Sequence, residues 1–334
     1  MRSIITSVCL IFYLSAPGQT RVLHYTETSG FDHNTRTQSL ALLDSIGGLL
    51  GFDVTDDPSG VKFDHPDTLA QFDLIIFSNT SGDQLLNASQ RASFEQYIAN
   101  GGSLLGIHAA SDTYRHSTSN GNSTGTWDFY AETLGGSVQQ SPNHVSGTPV
   151  YDMFQPISHP STQGIPDPWT KGEEYYYWEN GFFDSTNTVV LMVEATTGQG
   201  STGGTWDSSR AVSWVRILPQ GGKVFYTSLG HRATDFSSDA LFQQHILQGI
   251  QWILTSNMGL EKDHVQPMFR LKNNILISSE PMYELEIHDL NGRTLYQLHP
   301  FYPFIKIKIP DQITGLHILR VRTHSGWKTL KIIR

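Results

Sequence analysis

Ser103-Leu104-Leu105-Gly106-Ile107-His108-Ala109-Ala110-Ser111-Asp112 is the stretch on which the reading of this chain turns. Its first five residues form a short apolar run, the pattern of a strand buried on both faces. Gly106 to Ala110 then follows the order Gly-x-X-x-small. That is the strand-to-helix elbow which presents its central side chain, exposed, at the end of an α/β sheet. Where such elbows commonly carry Ser or Cys, this one carries His108, so the usual covalent nucleophile is missing there. An imidazole can instead move a proton or bind a metal through its neutral nitrogen, or simply cap a helix start.

The flanking sequence repeats the alternation of strand and helix. Arg21 to Thr26 reads as a first strand, Phe52 to Thr55 as a short one, and Phe72 to Phe77 as a continuous apolar one. Thr35 to Leu50 has helical spacing, with Leu40, Leu43, Ile46, Leu49 and Leu50 expected inward and Gly51 closing it. Asn87 to Asn100 is a second helix, with Phe94, Tyr97 and Ile98 inward and Gly101-Gly102 as its stop. Ala211 to Val215 and Lys223 to Thr227 are late strands about the Gly221-Gly222 turn, and Phe242 to Thr255 is a closing helix. The body is therefore α/β, a largely parallel sheet with helices on both faces. In such sheets ligands sit at the carboxyl ends of strands, which singles out the loops after Tyr25, Phe77, Ile107 and Leu229. Beyond Gly259 the texture becomes period-two, with Asn291-Gly292 as a hairpin turn, and reads as a small all-β sandwich.

The charge divides in the same place. Residues 1–259 carry 11 Lys and Arg against 24 Asp and Glu, whereas residues 260–334 carry 11 against 7. An acidic body excludes binding to a nucleic-acid backbone, which needs a basic patch. Met1-Arg2, the apolar run Ile4 to Leu14 and the exit Ser15 to Gln19 read as a secretory signal peptide over 1–19, too short to span as an anchor. The single cysteine, Cys9, falls inside it. The mature chain is thus expected to have no disulfide and no thiol nucleophile. No later segment is apolar enough to span, so no transmembrane anchor is expected.

The candidate groups lie on the expected rim: His24, His33, His108 and His231. Glu173-Glu174 precedes Tyr175-Tyr176-Tyr177-Trp178, so carboxylates, imidazoles and aromatic rings stand together. His108, His231 and Glu174 are the expected acid and base residues, and His33, Asp112, Glu173, Tyr175, Tyr176 and Trp178 the expected substrate contacts. His33, His108 and His231 can alternatively hold zinc, although no H-x-x-x-H spacing announces a metal site. His116, His144 and His159 read as structural loop residues. No phosphate-cradling glycine motif is present, so nucleotide binding has no support.

Several ordered strings resemble the ThuA-like, trehalose-utilisation family over about residues 21–255. They are Gly30 to His33, Phe72-Asp73 through Asp83, Tyr97 to Gly102, Gly106 to Asp112, Ser158 to Pro166, Glu173 to Tyr175 and Phe225 to His231. Glu173 stands where the family usually has Asp. The resemblance implies a flavodoxin-like fold of the class I glutamine amidotransferase type, and a role in handling glucosides or their 3-keto forms. The tail is similar to the C-terminal sorting domain of the type IX secretion system, on Asp289 to Arg293, Gly315 to Val321 and the basic end Lys328 to Arg334. The expected organisation is then a signal peptide over 1–19, a ThuA-like domain over 20–258 and a sorting domain over 259–334. The tail implies the secretion machinery as a partner and a secreted or cell-surface location, with polymer-derived sugars as substrates. Three functions fit these residues: an acid/base enzyme on a sugar, a non-catalytic carbohydrate-binding protein with Tyr175, Tyr176 and Trp178 as its stacking surface, and a zinc-dependent hydrolase.

Overall fold

A computed structural model describes residues 19–119, 125–198 and 200–255, and then 269–272, 275–289, 292–298, 304–310, 312–313, 316–323 and 326–333. Apart from Gln19, the signal-peptide segment lies outside the described residues, as do Leu290, Asn291 and Gly315 of the tail motifs. The chain divides into two compact units, Met1–Asn257 and Met258–Arg334.

In the first unit the strands are β1 (Thr20–Tyr25), β2 (Phe52–Asp57), β3 (Leu74–Ser78), β4 (Ser103–Ile107), β5 (Gly136–Ser137), β6 (Val150–Phe154), β7 (Trp169–Gly172), β8 (Phe182–Phe183), β9 (Thr188–Val193), β10 (Arg210–Ile217) and β11 (Lys223–Thr227). The helices are α1 (Arg36–Leu50), α2 (Pro66–Leu69), α3 (Ala88–Ala99), α4 (Asp128–Leu134), α5 (Ala233–Ser238) and α6 (Ala240–Leu254). Nine strands form one sheet in the order β2-β1-β3-β4-β11-β10-β9-β6-β7, while β5 pairs with β8. The first five are mutually parallel, in the order of a flavodoxin-like sheet. The remaining four run antiparallel to their neighbours, which makes the whole sheet mixed. Of this antiparallel half the sequence reading found only β10; β6, β7 and β9 were not read as strands.

Period-two alternation divides the core between the two faces of the sheet. Val22, Leu74 and Ile76 pack with α1 and α6, whereas Leu23, Ile75 and Phe77 pack with α3 and α4. The inward stripe of α1 is Ser39, Leu42, Leu43, Ile46 and Gly47. Leu49, expected inward, is 71% exposed. The spacing 39, 42, 43, 46 is the true i, i+3, i+4, i+7 face, and it leaves residue 49 at its margin. Asn87 caps α3 through a reciprocal capping box with Gln90.

His245 of α6 is fully buried against β10. Its Nδ1–H donates to the Ser161 carbonyl at 2.7 Å, and Nε2 lies 3.0 Å from Ser213 Oγ. Burial pushes its pKa down to about 4. A histidine lowered in this way stabilises the fold above its unfolded pKa near 6.5, and that contribution is lost as pH falls through 4. At pH 4 the loss is about 3 kcal/mol. Urea titrations between pH 7 and 4 should show His245→Asn taking up about one proton fewer on unfolding than the parent. An unchanged slope would remove His245 from the acid response.

The second unit comprises β12 (Phe269–Lys272), β13 (Ile275–His288), β14 (Thr294–Leu298), β15 (Phe304–Lys308), β16 (Leu316–Thr323) and β17 (Gly326–Ile333). All pair antiparallel. The first part of β13 pairs with β12 and β15, and its later part with β14 and β16. Leu276, Met282, Leu285, Ile287, Ile309, Ile313, Leu319 and Val321 form its separate core. Among the described residues no helix is long and apolar enough to cross a membrane.

Candidate metal centre

The parallel strands deliver their following loops to one rim. After β1, the loop Thr28 to Asn34 is stapled to the loop after β3. Ser29 and Gly30 N–H donate to the Ser81 carbonyl at 2.8 and 3.1 Å, and Ser81 Oγ donates to the Phe31 carbonyl at 2.7 Å. Asp32 accepts from the Asn34 N–H at 2.7 Å, and Asn34 takes a left-handed backbone at φ 54°, which tightens the turn carrying His33. After β4, His108 sits at φ 49°, a strained conformation for a residue with a Cβ. Gly106 permits the elbow, because a Cβ there would stand 2.7 Å from Leu134 Cδ1. The elbow is therefore real, but its side chain is not exposed as expected: His108 is fully buried. It is covered by Tyr176, whose ring stacks on the imidazole at 4.8 Å, and by His33 at 4.7 Å.

Glu174 comes from the antiparallel half, just after β7. Arg210 holds this segment, with Nε donating to the Tyr176 carbonyl at 2.7 Å and Nη2 to the Tyr175 carbonyl at 3.2 Å. Glu174 Oε2 then lies 3.2 Å from His231 Nδ1, 3.5 Å from His108 Nε2 and 3.8 Å from His33 Nε2. His33 Nε2 is 3.2 Å from His108 Nε2. One ligand atom from each of His33, His108, Glu174 and His231 lies within 4.8 Å of all the others.

The tautomer of His108 gives this geometry its meaning. Nδ1 faces the Ser228 carbonyl at 2.6 Å, so it carries the proton, and Nε2 offers a lone pair. Burial pushes His108 down to about 4, so at neutral pH that nitrogen carries no proton and acts as an acceptor, with the Tyr176 hydroxyl 2.9 Å away. Burial alone would raise Glu174, but the imidazoles of His108, His231 and His33 around it hold it far below the usual carboxylate range. The Nε2 acceptor and the Glu174 carboxylate stand 3.5 Å apart, a spacing that a shared proton or a shared cation can bridge. Ligand atoms about 2.1 Å from a tetrahedral ion stand about 3.4 Å apart. Four of the six separations, 3.2 to 3.8 Å, are near that spacing, and all six lie within 4.8 Å. The Ser228 carbonyl is the outer partner such a ligand histidine requires. His33 Nδ1, by contrast, is buried without a hydrogen-bond partner. The four residues fit zinc, and the donor set of three imidazoles and one carboxylate is chemically suited to it.

Two residues beyond the expected set belong to this centre. His144 Nε2 lies 3.5 Å from Glu174 Oε1, although it was read as incidental. It sits in an aperiodic loop, where no local pattern distinguishes it. Asn79, at φ 53°, ties three rim loops together. Its Nδ2 donates to Thr35 Oγ1 at 2.8 Å and to the Gly230 carbonyl at 3.0 Å, and its Oδ1 accepts from the Ala109 N–H at 3.3 Å. The strand-end rule had marked its loop but not the residue.

Other expected contacts lie elsewhere. His24 is in β1, buried between Asp56 and Ser39 at 3.0 and 2.8 Å, because it precedes the strand end and does not reach the loop. Tyr175 is buried, its hydroxyl donating to the Lys171 carbonyl, and Trp178 is buried against Trp214 with its Nε1 donating to Ala211 O. Tyr176 is buried too, and its hydroxyl donates to His108 Nε2 at 2.9 Å. The expected stacking surface is therefore interior. Glu173 is buried and braces backbone, with Oε1 accepting from the Glu174 N–H and Oε2 from the Gly230 N–H. Burial, followed by the Asp235 charge, pushes it up to about 7. Asp112 pairs with Arg115 at 2.5 Å and is not among the four converging groups. His116 stacks on Phe182, and His159 accepts from the Ser161 N–H.

A family model described as ThuA, trehalose utilisation, matches residues 21–253. A solved ThuA-like protein from Bacteroides uniformis is 18% identical, with a TM-score of 0.54 over 73% of this chain and 96% of that one. Another from Parabacteroides merdae is 18% identical, with a TM-score of 0.51 over 74% and 94%. At that identity these two show a shared fold. A looser match, at 13% identity and a TM-score of 0.41 over 72% of this chain and 100% of that one, is a glutamine amidotransferase from Thermotoga maritima. The comparison with curated proteins gives no match.

Proposed function

The chain belongs to the ThuA, trehalose-utilisation family, and from that premise we propose that it is an enzyme of carbohydrate utilisation. Its substrate class is glucosides or their oxidised 3-keto forms, and its centre is a zinc ion held by His33, His108, His231 and Glu174. One observation carries the reading: three imidazole nitrogens and a carboxylate oxygen, one each from His33, His108, His231 and Glu174, converge at one point of the rim. Bound there, zinc supplies a Lewis acid for a sugar carbonyl or hydroxyl oxygen. The chain's own residues orient and exclude water. His108 is locked by Ser228, Tyr176 closes the inner side, and the Arg210 clamp fixes Glu174. His144 directs Nδ1 to the Val145 carbonyl at 2.7 Å, which aims Nε2 at Glu174 from the mouth, a place from which to move a proton. A binding-only protein would need a stacking surface other than Tyr175, Tyr176 and Trp178, since all three are buried.

The proposal extends to location. The leader over 1–19 takes the chain out of the cytoplasm, and the unit over 259–334 acts as a type IX sorting domain, so that the enzyme works on sugars outside the cell. A mature protein found outside the cell without leader and tail supports this, and one retaining both inside the cell excludes it.

Elemental analysis of the purified full chain should find close to one zinc per chain. A chelator should remove both the zinc and the turnover of a panel of glucosides and 3-keto-glucosides, and added zinc should restore them. No metal, with turnover indifferent to chelator, would sink the zinc centre.

A further inference from the structure

Phe31 is 67% exposed, at the lip of the centre. Its ring meets that of His33 edge-on, at 4.8 Å and 76°, so an exposed aromatic ring stands in contact with a proposed metal ligand. Its exposure is built in, because the loop carrying it is fixed by the Ser29, Gly30 and Phe31 backbone bonds to Ser81. A mobile loop would lose entropy on binding that this one has already lost. Beside the same loop lies an open polar cleft of about 350 Å3, lined among others by Glu27, Thr28, Asp32, Asn34 and Arg36. Arg36 is already paired with Asp56, so the cleft offers hydroxyl, amide and carboxylate groups without a free cationic clamp.

We propose that Phe31 is the platform on which a neutral pyranose ring stacks while its reacting carbon faces the His33–His108–Glu174–His231 centre, and that the adjoining cleft takes the next sugar unit. The inference rests on the sugar-directed reading above and names the subsite that reading lacks. The physical match is specific. One face of a pyranose is a patch of weakly positive C–H groups, and the face of an aromatic ring is weakly negative. The hydroxyls around the sugar's edge need donors and acceptors beside that platform, which the cleft provides. A uronic acid or sugar phosphate fits poorly, since Glu27 and Asp32 stand in the cleft and its arginine is neutralised.

The test is calorimetric titration of the zinc-loaded full chain with trehalose, methyl α-glucoside and its 3-keto form, for the parent, Phe31→Ala and Phe31→Trp. Affinity should fall about tenfold or more in Phe31→Ala and be kept or improved in Phe31→Trp. Zinc content and Tm should be unchanged in both, because the side chain is exposed. Parent-like affinity in Phe31→Ala, with the parent binding sugar, overturns the platform and leaves the sugar-directed reading standing. Failure of the parent to bind any of the three sugars overturns that reading, and the platform with it.

Discussion

His108→Gly is expected to purify with less than a tenth of the parent's zinc, and to lose roughly a thousandfold in kcat/KM on any glucoside the parent turns over. Glycine is the informative replacement. His108 sits at φ 49°, where a side chain costs about 1–3 kcal/mol and glycine is unstrained. Removing a fully buried imidazole leaves a cavity and the Ser228 carbonyl without its donor, and relief of strain offsets only part of that cost, so the glycine variant should melt below the metal-free parent but above an alanine variant. His33→Ala should retain more zinc than His108→Gly, because His33 Nδ1 has no partner to fix its ring while His108 is held by Ser228. Glu174→Gln should lose the ion as well, since a neutral amide then replaces the one anionic ligand of the proposed set. Metal content and kcat/KM measured on the same preparations decide the matter. Zinc retained at parent levels in His108→Gly would remove His108 from the metal site.

What made His108 legible was local: an apolar strand followed by a glycine-paced elbow has few other readings. His33 and His231 followed from the rule that loops at strand ends meet on one rim. His24 failed by that same rule, because a residue one place inside a strand end points into the sheet. The aromatic run failed for a different reason. Tyr175 and Tyr177 pack into one core layer, and Tyr176 and Trp178 into the other. The segment is thus buried on both sides, and with four aromatic residues in a row no polar alternation marks a solvent face. Asn79 acts through contacts 30, 44 and 151 residues away in sequence, and His144 lies in an aperiodic loop, and one-dimensional spacing carries neither. The antiparallel strands β6, β7 and β9 are the larger gap. Glu174 reaches the cluster because they extend the sheet, so the family strings mark the residue while the pattern of the sequence does not mark the strands that support it.

That support has its own vulnerable point, Lys171. The residue lies on β7, 8% exposed, with Nζ 2.6 Å from Asp235 Oδ1, 2.7 Å from Asp239 Oδ2 and 3.9 Å from Glu173 Oε2. Burial alone would lower its pKa, but the three carboxylates outweigh burial and raise it. Lys171→Met keeps much of the side-chain volume and removes the charge. Two carboxylates are then left buried with no cation, which typically costs about 3–5 kcal/mol. For a unit of this size that is roughly 6–20 °C in Tm. The penalty should depend on pH with a definite sign. Glu173 is already raised to about 7, and loss of the ammonium raises it further. A carboxylate raised above its unfolded value contributes stability below pH 4.5 that disappears as pH climbs through the folded value. Lys171→Met should therefore be damaged more at pH 8 than at pH 5. The site should feel it too, because Glu173 accepts the backbone N–H groups of both Glu174 and Gly230, the neighbour of His231. Zinc affinity at pH 8 should fall by about 10–100-fold, the range of a lost outer-shell support. A Tm loss equal at both pH values would show that the lysine matters through packing. Parent-like stability at pH 8 would mean that the carboxylates find protons or water as readily as they found the lysine.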